Sequence, residues 1–278
     1  MADMRQTILG FNSRLPIGIA PAALARLAHA EGELCLARAA ARQDIPYCIS
    51  TAASVSPEQI EACWQDEKKG GSLFFQLYIN KIREKTLDLI KMARSLRFKV
   101  LVVTVDTPVV GKREEDERYK VQSDLDAGLH IDWSIETVPQ KEKPILRGYH
   151  SSTFTWDDLK WVQDAWQGPM VIKGIQTAED AKHAADLGVA GIYLSNHGGR
   201  QCDDAPSAIR TLLEIRKFCP EILSTTEIWL DGGIRRGNDV LKALCLGATA
   251  VFLGRPFMYA MGLYGTEGVV RAIQGSID

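Results

Sequence analysis

The segment Ser195-Asn196-His197-Gly198-Gly199-Arg200-Gln201 sets a histidine and an arginine three residues apart among glycines. Imidazole takes a proton near neutral pH, and a guanidinium grips a carboxylate by two parallel hydrogen bonds. Together they suit proton removal from an oriented carboxylate substrate. Asp106, distant in sequence, has the charge to face His197 and stabilise its protonated form. Two more segments, Ile228–Arg235 and Ala250–Pro256, end apolar runs in Asp231-Gly232-Gly233-Ile234-Arg235 and Gly254-Arg255. Glycines admit a ligand close to the backbone, successive amides and a helix N-terminus attract an anion, and Arg235 and Arg255 add charge. A tight turn explains the glycines but not the arginines, so a phosphate-bearing ligand is expected. Lys173 closes the run Met170–Lys173, where a buried cation needs an electronegative partner. A Schiff-base lysine, as barrel aldolases use, is the rival reading; it leaves His197 and Arg200 without a task. His29, His130, His150 and His183 fall in helix or loop contexts and carry little catalytic weight.

The elements that must position these groups are short apolar runs alternating with amphipathic stretches. The runs are 17–20, 47–50, 73–77, 100–104, 170–173, 191–195, 228–231 and 250–253. Helical patterns cover 33–42, 83–94, 157–166, 178–187, 207–218 and 239–246. Ser56-Pro57-Glu58-Gln59 combines an N-cap, a first-turn proline and a capping-box glutamine. Thr155 and Thr177 stand before early acids that suit a helix N-terminus. Continuous apolar strands between helices imply a parallel sheet covered on its faces. Eight such units predict a closed (β/α)8 barrel of the TIM type, with chemistry at the C-terminal strand ends. A Rossmann sheet fits less well, because no G-x-G-x-x-G follows the first run and eight units exceed its six. Residues of about 107–152 interrupt the rhythm and predict a lid segment over the mouth, its Lys112–Arg118 charges forming a solvated helical face.

Composition narrows the class. The chain has 278 residues, 46% hydrophobic and 24% charged, a net charge of −2 and 23 glycines without a period. That excludes a wholly disordered or collagenous chain and argues against a dedicated nucleic-acid binder. At roughly 150 residues per domain two domains are allowed, yet α/β barrels reach this length as one, so 1–278 is expected to be a single domain. Absence of a long apolar run or a basic apolar leader predicts neither membrane span nor signal peptide. The six cysteines lack a C-x-x-C and are expected to be mostly small reduced core residues, consistent with an intracellular protein.

Several segments, in order along the chain, resemble the FMN-dependent L-2-hydroxy acid oxidases and dehydrogenases, the glycolate oxidase, lactate oxidase and mandelate dehydrogenase group. They are Leu15–Ala22, Phe75–Tyr78, Thr104–Pro108, Val171–Gly174, Ser195–Gln201, Asp231–Arg236 and Leu253–Pro256. The resemblance implies FMN at the barrel mouth and no metal. Pro21, Ala22, Ser50, Gln76, Thr104, Lys173 and Ser195 would meet the flavin ring and ribityl chain, with Lys173 stabilising the reduced anion. Asp231, Gly233, Arg235, Gly254 and Arg255 would hold the ribityl chain and phosphate. His197 would be the base, Asp106 its partner, Arg200 the carboxylate anchor, and Tyr78 and Arg113 further substrate contacts. Ala52 stands where glycolate oxidase has a bulky aromatic, which suggests room for a larger substrate side chain. The family's N-terminal helical segment, with a second substrate tyrosine, and its C-terminal tail are expected to be absent, the latter exposing apolar surface. A small 2-hydroxy acid, an oxygen or external electron acceptor, a homo-oligomer and a cytoplasmic or peroxisomal location follow from the resemblance. Two readings stay open beside it: oxidation of a larger secondary-metabolite alcohol, and a shortened FMN-binding remnant without turnover.

Overall fold

The computed structural model describes residues 3–128 and 149–275. Its centre is a closed barrel of eight parallel strands, as the alternation of apolar runs predicts. In chain order these are β3 (Ile17–Ile19), β4 (Tyr47–Ile49), β5 (Leu73–Tyr78), β6 (Val100–Thr104), β7 (Met170–Ile175), β8 (Gly191–Leu194), β9 (Glu227–Leu230) and β10 (Ala250–Leu253), with β10 pairing β3 to close the ring. Nearly every strand residue is buried on both sides, which is why the runs are continuous rather than alternating. Around them pack α1 (Glu33–Gln43), α2 (Pro57–Asp66), α3 (Arg83–Ser95), α5 (Leu159–Trp166), α6 (Ala178–Asp186), α7 (Ala208–Phe218), α9 (Gly237–Cys245) and α10 (Arg255–Gln274), with a short α8 (Ile222–Thr225).

Caps behave largely as the sequence implies. Ser56 accepts the Gln59 amide at 3.3 Å with Pro57 behind it, and Thr177 accepts the Asp180 amide at 3.0 Å. Thr155 differs: its amide and hydroxyl both donate to Asp158 at 2.9 Å, forming a turn, so α5 starts at Leu159 rather than Asp157. An aspartate side chain that accepts a nearby backbone amide offers the chain this alternative to a helix start.

The sequence reading has no counterpart for the hairpin of β1 (Gln6–Ile8) and β2 (Phe11–Ser13), strands of three residues each. Its turn, Leu9 at φ 46° and Gly10 at φ 80°, puts two left-handed residues in succession, the geometry that matches strand twist. Ile8, Leu9 and Phe11 pack into the cluster that fills the lower lumen, and Glu227 accepts the Leu9 amide at 2.8 Å and the Trp229 indole N–H at 3.0 Å. The hairpin therefore stoppers the end of the barrel away from the chemistry. Of the six free cysteines only Cys35, Cys48 and Cys219 are buried; Cys202 and Cys245 are exposed, which corrects the expectation of mostly core thiols.

After β6 the chain leaves the barrel through α4 (Glu114–Asp126), an exposed helix matching the expected solvated face. It returns at His150, whose backbone forms an antiparallel bridge with Asn80. The part of the expected lid numbered 129–148, His130 included, lies outside the described residues. Leu27, Tyr259, Leu263 and Tyr264 are large apolar side chains left exposed.

Candidate active site

Side chains alternate along a strand, so positions two apart face the same way. Cys48, Phe74, Val102, Val171, Tyr193 and Trp229 belong to the lumen cluster. Two residues further on each strand come Ser50, Gln76, Thr104, Lys173, Ser195 and Asp231, all buried. The parallel register sets Thr104 beside Lys173. One polar chain runs from Ser50, whose hydroxyl donates to Gln76 Oε1 at 3.3 Å, through Gln76 Nε2 to the Thr104 hydroxyl at 2.9 Å. A second centres on Ser195 Oγ, which accepts from Lys173 Nζ and from the His197 amide, each at 3.0 Å, and donates to Asp231 Oδ1 at 2.6 Å. Lys173 is 3% exposed and has an Asp231 carboxylate oxygen at 3.5 Å. Burial alone would lower its pKa, but Asp231 and then Asp106 outweigh that and hold it above the ordinary value, so the ammonium stays charged. The electronegative partner that the sequence reading requires is thus present, and an ammonium held in this way is a poor Schiff-base nucleophile.

His197 sits at φ 58°, a left-handed conformation that a histidine adopts under constraint. The Asn196 side chain accepts the Gly199 amide at 3.2 Å and the Ser195 hydroxyl takes the His197 amide, fixing the turn. His197 Nδ1 lies 2.9 Å from Asp106 Oδ1, with the Asp106 side chain 1% exposed. Burial pushes the Asp106 pKa up, yet the Lys173 charge and the His197 contact overcome it, leaving the carboxyl below its ordinary value. A carboxylate there selects the Nδ1–H tautomer and leaves the Nε2 lone pair to act as base. The Tyr78 hydroxyl is 3.4 Å from that Nε2. Burial drives the Tyr78 pKa up to about 12, so the phenol keeps its proton. Gly174, at φ 105°, is required here: a Cβ would stand 2.6 Å from the Asp106 Cβ.

The remaining expected residues line the same mouth. Pro21, Ala22 and Ala52 are half-buried, and the Ala52 amide donates to Ser50 Oγ at 3.1 Å. Arg113 is half-buried at the start of α4, and its charge acts on the Tyr78 phenol. Arg200 and Arg235 are exposed at the rim, and Arg255 donates to the Gly198 carbonyl at 2.7 Å, tying the β10 tip to the β8 loop. At Gly233 a Cβ would meet nothing within 4 Å, and at Gly254 only the Ala20 Cβ at 3.9 Å. Their openness leaves a glycine-walled space beside two arginines and the α10 N-terminus.

Three residues that work here were not assigned roles from the sequence. Thr107 donates to Asp106 Oδ1 at 3.0 Å, and Gln201 braces the segment that follows β6, donating to the Asp106 and Val109 carbonyls and accepting the Gly111 amide at 2.9 Å. Both lie inside matched motifs, which was the available signal. His150 packs on Tyr78 with ring centroids 4.3 Å apart, and nothing local in sequence announces that contact.

The sequence matches the FMN-dependent dehydrogenase family over residues 1–276. The chain belongs to that family. It is 38% identical over 278 residues to glycolate oxidase 3 of Arabidopsis thaliana, covering 98% of this chain and 73% of the relative. It is 38% identical over 276 residues to the cytochrome-linked L-lactate dehydrogenase of Wickerhamomyces anomalus, covering 98% of this chain but 47% of that protein. A flavocytochrome b2 variant with pyruvate bound superposes with a TM-score of 0.86 at 38% identity, over 99% of this chain and 66% of the other. The family's cofactor is FMN. The residues present fit it: buried donors and acceptors ring the upper lumen, Lys173 supplies a fixed positive charge, and the open glycine wall with Arg235 and Arg255 suits a phosphate.

Proposed function

We propose that this protein oxidises an (S)-2-hydroxy acid to the 2-oxo acid, with His197 as base. The observation that carries the reading is the line Asp106–His197–Tyr78, with contacts of 2.9 and 3.4 Å, opening on a mouth built around Lys173. When bound, FMN supplies the acceptor for the electron pair that leaves the hydroxyl-bearing carbon. His197 Nε2 takes the proton that departs with it, and Asp106 stabilises the resulting imidazolium. Tyr78, protonated at working pH, donates a hydrogen bond to oxygen on the substrate. Arg200 holds the carboxylate, with Arg113 assisting from the lid base, and Ala52 leaves room for the substrate side chain. Pro21, Ala22, Ser50, Gln76, Thr104, Lys173 and Ser195 would face the ring and ribityl chain, and Asp231, Gly233, Arg235, Gly254 and Arg255 the rest of the cofactor. Electrons then leave to oxygen or to an external carrier. The same reading carries a single FMN-binding barrel domain, a homo-oligomer and a cytoplasmic or peroxisomal site of action; among the described residues no helix is long and apolar enough to cross a membrane.

The test is an anaerobic visible spectrum of the FMN-loaded protein with glycolate, L-lactate and L-mandelate in turn. Bleaching by one of them establishes reaction class and side-chain size, and admitting air then shows whether oxygen is the acceptor. A flavin spectrum that none of them bleaches would overturn the hydroxy-acid assignment.

A further inference from the structure

The lid's return brings a second histidine against the first one's partner. His150 is 5% exposed, and its ring lies over Tyr78 with centroids 4.3 Å apart and planes tilted by 33°. Tyr149 meets its other aspect edge-on at 5.8 Å. Two backbone hydrogen bonds make the Asn80–His150 bridge and hold the segment in place: the Ser151 amide on the Ile79 carbonyl at 2.8 Å and the Lys81 amide on the Tyr149 carbonyl at 3.1 Å. Neither imidazole nitrogen makes a well-formed hydrogen bond among the described residues, although the Thr107 backbone acts on the ring. A buried ring with unsatisfied nitrogens is a costly way to fill space, so the position carries a load that packing alone does not explain.

We propose that His150 is a positioning residue: its ring clamps the Tyr78 phenol at hydrogen-bonding distance from His197 Nε2. The proposal rests on the reading of Tyr78 and His197 given above. The titratable and charged groups around the ring are Tyr78 from β5, Tyr149 beside it, His197 with Asp106 behind it, and Asp180 of α6, which lines the same cavity of about 240 Å³. Burial and then the His197 charge hold the His150 pKa below its ordinary value. A neutral clamp leaves the proton to His197. The cavity on its flank gives room for a larger ring.

The experiment measures anaerobic flavin reduction by the best hydroxy acid for the unaltered FMN-loaded protein, His150→Ala and His150→Phe, each also combined with Tyr78→Phe. His150→Ala is expected to slow reduction by about tenfold, and His150→Phe to recover it to within about twofold. In the Tyr78→Phe background the His150→Ala change is expected to have no further effect, because a residue acting through the phenol has nothing left to position. The acid limb of the pH profile is expected to stay in place in His150→Phe. Multiplicative losses, a His150→Phe variant as slow as His150→Ala, or a shifted acid limb would overturn the clamp while leaving the hydroxy-acid reading intact. No reduction of the unaltered protein by any hydroxy acid would overturn both.

Discussion

The lower and upper halves of the barrel lumen are built from the same strands, two residues apart, and share almost no chemistry. Below, Phe74, Tyr193, Trp229 and Phe252 fill the space; Phe74 stacks on Trp229 at 5.5 Å, and Trp229 and Tyr193 each lie 5.1 Å from Phe252. Contacts of this kind are worth about 0.5–1.5 kcal/mol apiece beyond the area they bury. Above, the same strands present Gln76, Ser195, Asp231 and Gly254, whose polar atoms are spent on one another or left facing open space. The floor is closed by packing, although the buried Tyr193 hydroxyl makes no well-formed hydrogen bond among the described residues. The mouth is satisfied only in part: its Lys173 cation is held charged by Asp231 and then Asp106, and its Asp106 anion by Lys173 and then His197, where burial penalises both. A parallel barrel can separate stability from reactivity by a single step of two residues along each strand.

Substitutions at the two levels sharpen that contrast. The largest effect is expected from His197→Gln, which should slow flavin reduction by about 10³–10⁴-fold in rapid-mixing experiments while melting temperature and FMN content hold steady. Trp229→Ala should do the reverse, destabilising the fold by about 3–5 kcal/mol in denaturant titrations with the rate per folded molecule little changed. A large rate loss there would show that the floor tunes the mouth. Asp106→Asn should cost about 10²-fold in reduction rate. It also has a pH signature. A carboxyl depressed in the folded state stabilises it above the unfolded value, near 3.8, and that contribution fades as pH falls through the lower folded value. The stability gap between the two proteins should therefore be flat above about pH 5 and close only in stronger acid. Arg200→Lys keeps the charge but loses the fork, so KM should rise about tenfold with kcat less affected. Unchanged KM would remove Arg200 as the carboxylate anchor. The smallest effect belongs to Ser56→Ala, far from either level: about 1 kcal/mol of stability from the lost cap and no change in turnover.

Much of this contrast is written in the chain itself. Five of the eight apolar runs end on a Ser, Thr, Lys or Asp, and the others give way to Pro21, Tyr78 and Gly254, so barrel, strand tips and most site residues follow from reading runs and their ends. Helix starts at Ser56 and Thr177 are equally local, since a hydroxyl and an amide three residues on decide them. What escaped depends on partners far away. The three-residue strands of the β1–β2 hairpin are too short for a period and exist because the barrel floor and Glu227 receive them. Asp158, three residues after Thr155, takes both the amide and the hydroxyl proton of Thr155, so that hydroxyl does not serve as a helix cap. His150 is beside Tyr78 only because the chain, after a long excursion, pairs with Asn80. No spacing in the sequence encodes that return.

That pairing also bears on how such a protein can vary. The excursion departs from the tip of β6, where Gln201 braces its first residues, and comes back against the residues following β5, the neighbouring strand. Its two ends are thus pinned to adjacent points of one rigid ring, independently of what lies between them. Lengthening a connection between fixed points costs only about 0.6 kcal/mol per doubling. Ring and base are therefore anchored apart from the middle of the excursion, and a change of length between its pinned ends need not move either of them.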